Sequence, residues 1–255
     1  MSIGVNAKSQ STNKTIGTIP LPKGFERIQL PTGSFGEYLR TLPLKKDKTV
    51  YLYNGRKKFN QSAQYAVVDI STGNKDLQQC ADALMRLRSE YFFLKKDFNK
   101  INFKADKINL NFADYLSGTK YTYKGNKLVA IQTNKKLSST HEVLMNFLET
   151  VFINCGTYTV DEMCKSIVIT ELQPGDIYVK GGAPGHAMLI VDAAYNKITK
   201  QKIYLLLQSY MPAQDMHIVV NPSSQSLSPW YEVNNESKIY TPEWTFYSYQ
   251  LKRWK

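Results

Sequence analysis

The chain of 255 residues is short of several things. It has three cysteines and no Cys-x-x-Cys pair, which excludes a disulfide-stapled scaffold and a tetrahedral cysteine zinc site. Glycine and proline supply only 14 and 10 residues, which excludes collagen-like and low-complexity chains. Long apolar runs are missing too. Stretches such as Ala187–Val191 and Tyr204–Leu207 are strand-length, far below the ~20 residues that a membrane-spanning helix needs. Acidic side chains are scarce, 21 against 33 Lys and Arg, so the formal charge is +12. What remains is a basic chain with 42% apolar residues, 12% of all residues being aromatic, enough to bury a sizeable core.

The charge is uneven. Residues 1–60 hold 11 basic and 3 acidic side chains, so +8 of the +12 lies in the first quarter. Lys45-Lys46-Asp47-Lys48 and Arg56-Lys57-Lys58 sit beside turn residues and read as a solvated rim that would concentrate an anionic partner. No nucleic-acid-binding motif accompanies them, so nucleic acid is not an expected partner. At the start, Val5-Asn6-Ala7 has the small-residue form that a signal peptidase reads, without a charged or apolar stretch before it. Two readings stand: an ordinary N-terminus, or a signal-peptide remnant, which would make the protein exported to the periplasm or cell envelope.

Residues 1–20 read as a polar, disordered leader or signal-peptide remnant, and 21–255 as one domain without internal repeats. Gly24–Leu30 suggests a short strand. Ser34 and Glu37 have capping-box spacing for a helix ending near Thr41, before Pro43. Thr49–Tyr53 and Gln64–Ile70 predict two strands of a hairpin-like unit around Asn54-Gly55. The clearest helix starts near Asp76, with Leu77, Cys80, Ala81, Leu84, Leu87 and Tyr91 forming an apolar stripe. Residues 100–140 read as a mixed insertion, and Ser139–Ile153 as a second helix capped by Ser139 and Glu142. From Ile167 the texture is β: Asp176–Lys180, His186–Ala194, Lys202–Tyr210, Met216–Val220 and a last strand around Trp244–Leu251. Helices first and an antiparallel meander later indicate an α+β domain with a central helix packed on an antiparallel sheet.

One constellation has chemical content: Gln79-Cys80 near a helix start, Pro174-Gly175-Asp176 before a strand, Gly185-His186 opening the next, and Gln208 in the strand after that. A thiol near pKa ~8.5 is mostly protonated at neutral pH, whereas the thiolate is the nucleophile. A helix N-terminus favours the anion. A histidine can take the thiol proton and return it to a leaving amine, and a polar third group fixes its tautomer. Cys80 is thus the candidate nucleophile, His186 the base and then acid, and Gln208 the orienter. Asp192 competes for that last place, but it stands about 20 Å along the strand from His186 at ~3.3 Å per residue. Backbone amides near Cys80, with Gln78 or Gln79, would face the oxyanion. The bland alternative is that Cys80 is a buried stripe residue and His186 a strand cap after a glycine turn.

Gln79-Cys80-Ala81, Pro174-Gly175-Asp176 and Gly185-His186-Ala187-Met188-Leu189-Ile190-Val191 resemble the pattern of the papain-like amidases of the CHAP and NlpC/P60 families. That resemblance implies a papain-like core, a Cys-His-polar triad and hydrolysis of amide bonds, with cell-wall peptides or glycopeptides as substrates if the protein is exported. The Cys80 motif departs from the Asp-Cys-Ser/Gly of typical NlpC/P60 members. Over nearly its whole length the chain also resembles an uncharacterised bacterial family, domain of unknown function 4846. Leu77–Ala83, Pro184–Ala187, Gln208–Gln214 and Ser228–Tyr231 carry that likeness, which implies no established activity. Members of that family often look exported or lipid-anchored.

Several residues remain. Gln208–Gln214, with Ser209 and Tyr210, is a candidate wall of a cleft beside His186. Cys155 and Cys164 are nine apart and read either as a disulfide in an exported protein or as free buried thiols. His141 and His217 lack ligand-type neighbours, so neither metal nor cofactor is expected. Trp230, Tyr231, Trp244, Phe246, Tyr247, Tyr249 and Trp254 suit core packing first and a stacking surface second. A non-catalytic module that holds a peptide or glycan in the same cleft is the competing function.

Overall fold

The computed structural model describes residues 14–255. Five helices are present among these: α1 (Phe35–Thr41), α2 (Cys80–Leu94), α3 (Phe112–Leu116), α4 (His141–Asn154) and α5 (Thr157–Glu162). The early strands are β1 (Phe25–Arg27), β2 (Gln64–Val67), and two hairpins, β3 (Asn102–Ala105) with β4 (Ile108–Asn111) and β5 (Thr119–Lys124) with β6 (Lys127–Gln132). The later ones are β7 (Cys164–Ser166), β8 (Ile177–Lys180), β9 (His186–Asn196), β10 (Lys202–Gln208) and β11 (His217–Val219). β12 (Tyr231–Glu232), β13 (Lys238–Tyr240), β14 (Thr245–Tyr247) and β15 (Leu251–Trp254) complete the chain.

The main sheet is antiparallel, in the order β2-β11-β10-β9-β8-β15-β7, with β1 and β12 paired to β9 and β10 off that path. Its two faces carry separate cores. Ala187, Leu189, Leu205 and Leu207 join α2 and α4, while Met188, Ile190, Tyr204 and Leu206 pack with Tyr178, Phe246 and Tyr231. Alternation along a strand produces this division. In β9 it is interrupted at Val191, which bulges opposite Leu205 and Leu206.

Several local expectations are corrected. Residues 14–20 are not a loose leader: Ile16 and Ile19 are buried and the Trp230 indole donates to the Pro20 carbonyl. Two isoleucines among polar neighbours dilute their own signal in the composition. Val5-Asn6-Ala7 lies outside the described residues. Thr49–Tyr53 forms only isolated bridges, because the Gln61 side chain and the Asp215 carboxylate take backbone groups that a partner strand would otherwise engage. Its expected mate β2 pairs with β11 instead. The α4 cap is Thr140, whose hydroxyl accepts from the Val143 amide, and not Ser139. At α1, Ser34 accepts from the Glu37 amide, but Glu37 reaches Gly33 instead of closing the box. The last strand is broken by a 3-10 turn at Ser248–Gln250, where Gln250 Oε1 takes the Tyr247 amide. The insertion is no appendage, since Phe103, Leu110 and Phe112 are buried in the core shared with α2 and α4.

Asp192 is structural. Fully buried on β9, it accepts from Arg27 Nε at 2.7 Å and Arg40 Nε at 2.6 Å, tying β1 and α1 to the sheet. Asp176, from the Gly-Asp motif, likewise receives both Arg253 Nε at 2.6 Å and Nη2 at 2.8 Å from β15. Removing one partner of such a buried pair leaves charge uncompensated. Asp192→Ala should therefore lose about 3 kcal/mol of unfolding free energy in urea titrations; a loss below about 1 kcal/mol would show that the pair is dispensable.

Candidate active site

Cys80 is the first residue of α2, not the end of a first turn begun at Asp76. The helix starts four residues later than the stripe suggests because Asp76 is otherwise engaged. Its carboxylate accepts from the Ala213 amide at 2.7 Å and from Gln79 Nε2 at 3.1 Å, holding that segment off the helix axis. Gln79 is extended, and its amide donates to the Asp82 carboxylate at 3.0 Å. The N–H groups of a first helical turn lack intrahelical acceptors, and those of Cys80 and Ala81 favour the anionic form of the Cys80 sulfur.

His186 opens β9 immediately after Gly185. A β-carbon on Gly185 would lie 2.3 Å from the Gly182 carbonyl oxygen and 2.4 Å from Thr157 Oγ1, so only glycine fits this close approach. His186 belongs to the sheet face opposite α2, where Phe246 and Trp244 stack on its ring with centroids 5.8 and 5.3 Å away. Tyr210 covers it at 4.7 Å. Cys80 comes from the α2 side. Both line one cleft of about 420 Å³, together with Gln79, Asp82, Cys155, Thr157, Tyr210, Met211 and Trp244. No hydrogen bond joins the two side chains.

Gln208, at the end of β10, bonds His186: its Oε1 lies 3.1 Å from His186 Nε2. The network around it decides where the protons are. Gln208 Nε2 donates to Glu243 Oε2 at 2.8 Å, and a carboxylate only accepts. Its other neighbour, His217 Nε2, is 3.0 Å away, while His217 Nδ1 stands 2.9 Å from the Asp215 carbonyl and must carry the proton there. Neutral His217 thus offers a bare Nε2, and both hydrogens of the Gln208 amide are used. The amide oxygen must then face His186. Its Nε2 is the N–H, and Nδ1 keeps the lone pair that a base requires. Glu243 is itself held by Lys58 Nζ at 2.5 Å and by Asn60 Nδ2 at 3.3 Å.

Burial sets the electrostatics. It pushes the His186 pKa down to about 4, against the Gln208 hydrogen bond, and that of His217 down to about 3, helped by Lys58. The Cys80 thiol is pushed up by burial, although the amides of Ala187 and Ala81 pull the other way. Asp82 rises to about 7 because it is desolvated. The resting pair at neutral pH is therefore thiol and imidazole, not thiolate and imidazolium.

Not every expected residue takes part. Gln78 is buried off the cleft, its oxygen accepting from Arg86 Nη1 and its carbonyl from the Ser209 hydroxyl. Ser209 is buried as well, its one hydroxyl hydrogen shared between that carbonyl at 3.3 Å and the Gln214 carbonyl at 2.9 Å. Gln79 and Tyr210 do line the cleft. Trp244, which suits core packing first by its sequence context, lines the cleft too, while Glu243, His217 and Lys58, which little in the sequence marks, support Gln208 from behind it. The one available hint was the hairpin register, in which Gln208 and His217 are direct partners across β10 and β11. Cys155 and Cys164 are free, and burial takes both thiols to about 12. Among the described residues, no group of three or more His, Cys, Asp or Glu could hold a metal ion, and no helix is long and apolar enough to cross a membrane.

Residues 16–253 match the model of a family described as a domain of unknown function (4846). The chain belongs to that family. No curated protein and no solved structure matches it. Glu243→Gln replaces the anion that orients Gln208 by an amide that can donate as well as accept. Long-range proton–nitrogen spectra should show His186 protonated at Nε2 in the native protein and divided between both nitrogens in the variant. An unchanged single tautomer would refute the role given to Glu243.

Proposed function

We propose that this protein is a cysteine hydrolase acting on amide bonds through Cys80, His186 and Gln208, on a core of papain-like, NlpC/P60-like type. The observation that carries this reading is that a helix-first cysteine and a strand-first histidine share one cleft, with the histidine held in the tautomer that leaves Nδ1 free. The thiol attacks the substrate carbonyl carbon as Nδ1 of His186 takes its proton, forming the C–S bond. Free backbone amides at the start of α2 face the oxygen that gains charge. The imidazolium then returns the proton to the leaving amine as the C–N bond breaks, and water hydrolyses the thioester. Because the resting pair is neutral, His186 works as a general base during attack. Peptides or glycopeptides are the proposed substrates. Wall peptides are their natural source if the protein is exported, where its +12 charge suits an anionic envelope.

The aromatic walls at Tyr210 and Trp244 favour a second reading, in which the cleft binds a peptide or glycan without cleaving it. Thiol chemistry separates the two. Iodoacetamide should label Cys80 at least tenfold faster than Cys155 or Cys164, whose thiols are harder to ionise. Because burial raises the Cys80 thiol, its labelling should climb with pH through the alkaline range and show no plateau near pH 5. His186→Ala should slow it several-fold at pH 7. Equal, slow labelling of all three thiols, read by peptide mass spectrometry, would leave only the binding module.

A further inference from the structure

A second concave site lies across α5 from the cleft. Arg27, Arg40, Arg86 and Arg253 each have a carboxylate partner. Arg88, on α2, has none and makes no side-chain hydrogen bond among the described residues. Its guanidinium instead lies over two rings, 4.7 Å from the centroid of Phe92 and 4.8 Å from that of Trp254. Stacking satisfies the faces of a guanidinium but not its five in-plane N–H donors. Arg88 lines a groove of about 910 Å³, which Lys100, Lys104, Lys252 and Lys255 also line together with Asp161 and Glu162. Lys252 is used by Asp161 and Lys100 by Asp97, whereas Lys104 has no carboxylate partner among the described residues. Trp254 adds an indole N–H that is buried without an acceptor. Burial lowers the Arg88 pKa to about 10, which leaves it charged at neutral pH.

We propose that this groove binds a phosphorylated small molecule, with Arg88 as the fixed fork for the phosphoryl group and Lys104 as its second cation. A phosphoryl group has three oxygens and close to two charges near neutral pH, which suits several donors converging from different elements. A carboxylate, with two oxygens and one charge, would leave part of that set unmet. The groove is larger than an inorganic ion requires and falls in the usual size range of small-molecule sites, so the phosphoryl group comes attached to an organic body. None of this depends on the chemistry proposed for Cys80.

Inorganic phosphate is the probe, titrated into the nitrogen-15-labelled whole protein while the indole signals of Trp230, Trp244 and Trp254 are followed. Acetate at matched ionic strength is the carboxylate arm. The Trp254 signal should move and saturate with phosphate and stay in place with acetate. Arg88→Lys, which keeps the charge but loses the fork, should raise the half-saturating phosphate concentration at least tenfold. Lys104→Ser should raise it several-fold; that side chain is exposed, so this variant keeps the test sound should the Arg88 variant fail to fold. A stationary Trp254 signal, an equal response to acetate, or a native midpoint in Lys104→Ser would overturn the proposal.

Discussion

A primary amide has one oxygen and two N–H groups, and in Gln208 that inventory constrains everything around His186. Glu243 and His217 take both hydrogens, so the oxygen has one place left to point. Three remote parts of the chain meet in this arrangement: the β10–β11 hairpin, the segment before β14, and the Lys58–Asn60 turn that anchors Glu243. An orienting amide without these supports would rotate freely and offer His186 either end. With them, the tautomer of the histidine is a property of the fold.

The second constraint is burial. A helix N-terminus lowers the free energy of a nearby anion by roughly 0.3–1 kcal/mol at exposed sites, less than one pKa unit. Desolvation is the larger influence at Cys80, and the thiol moves up. The same desolvation takes His186 down to about 4. These displacements oppose a preformed ion pair and fit transfer of the proton within the proposed reaction. They also fit an aromatic enclosure that excludes water from the imidazole, since Tyr210, Trp244 and Phe246 surround it.

The parts of the fold that follow local rules are legible in the sequence. The stripe on α2 is visible although residues 81–87 are buried on every side, among β9, α1, α4 and α5, and α1 ends where Pro43 requires. The strands from 177 to 219 are legible as β-rich runs between turns, and Gln208 is identifiable as the partner of His186 from their antiparallel neighbourhood alone. What is hidden is hidden by long-range side-chain bonds. Asp76 spends its carboxylate on Ala213 and so delays the helix to Cys80. Gln61 and Asp215 replace a strand partner for residues 50–51. Ser209 resembles a cleft residue by its position next to Gln208, yet strand alternation turns it into the interior toward Gln78. Glu243 is thirty-five positions from Gln208, and nothing in its own neighbourhood marks it as the group that settles an amide's orientation.

The central claim is that Cys80 can be acylated and that His186 drives release of the acyl group. Intact-mass measurement after exposure to an activated acyl ester such as p-nitrophenyl acetate tests both halves at once. The account predicts a single acetyl adduct on Cys80, transient in the native protein and long-lived in His186→Ala. An adduct spread evenly over the three cysteines, or one on Cys80 that decays equally fast without His186, would contradict it.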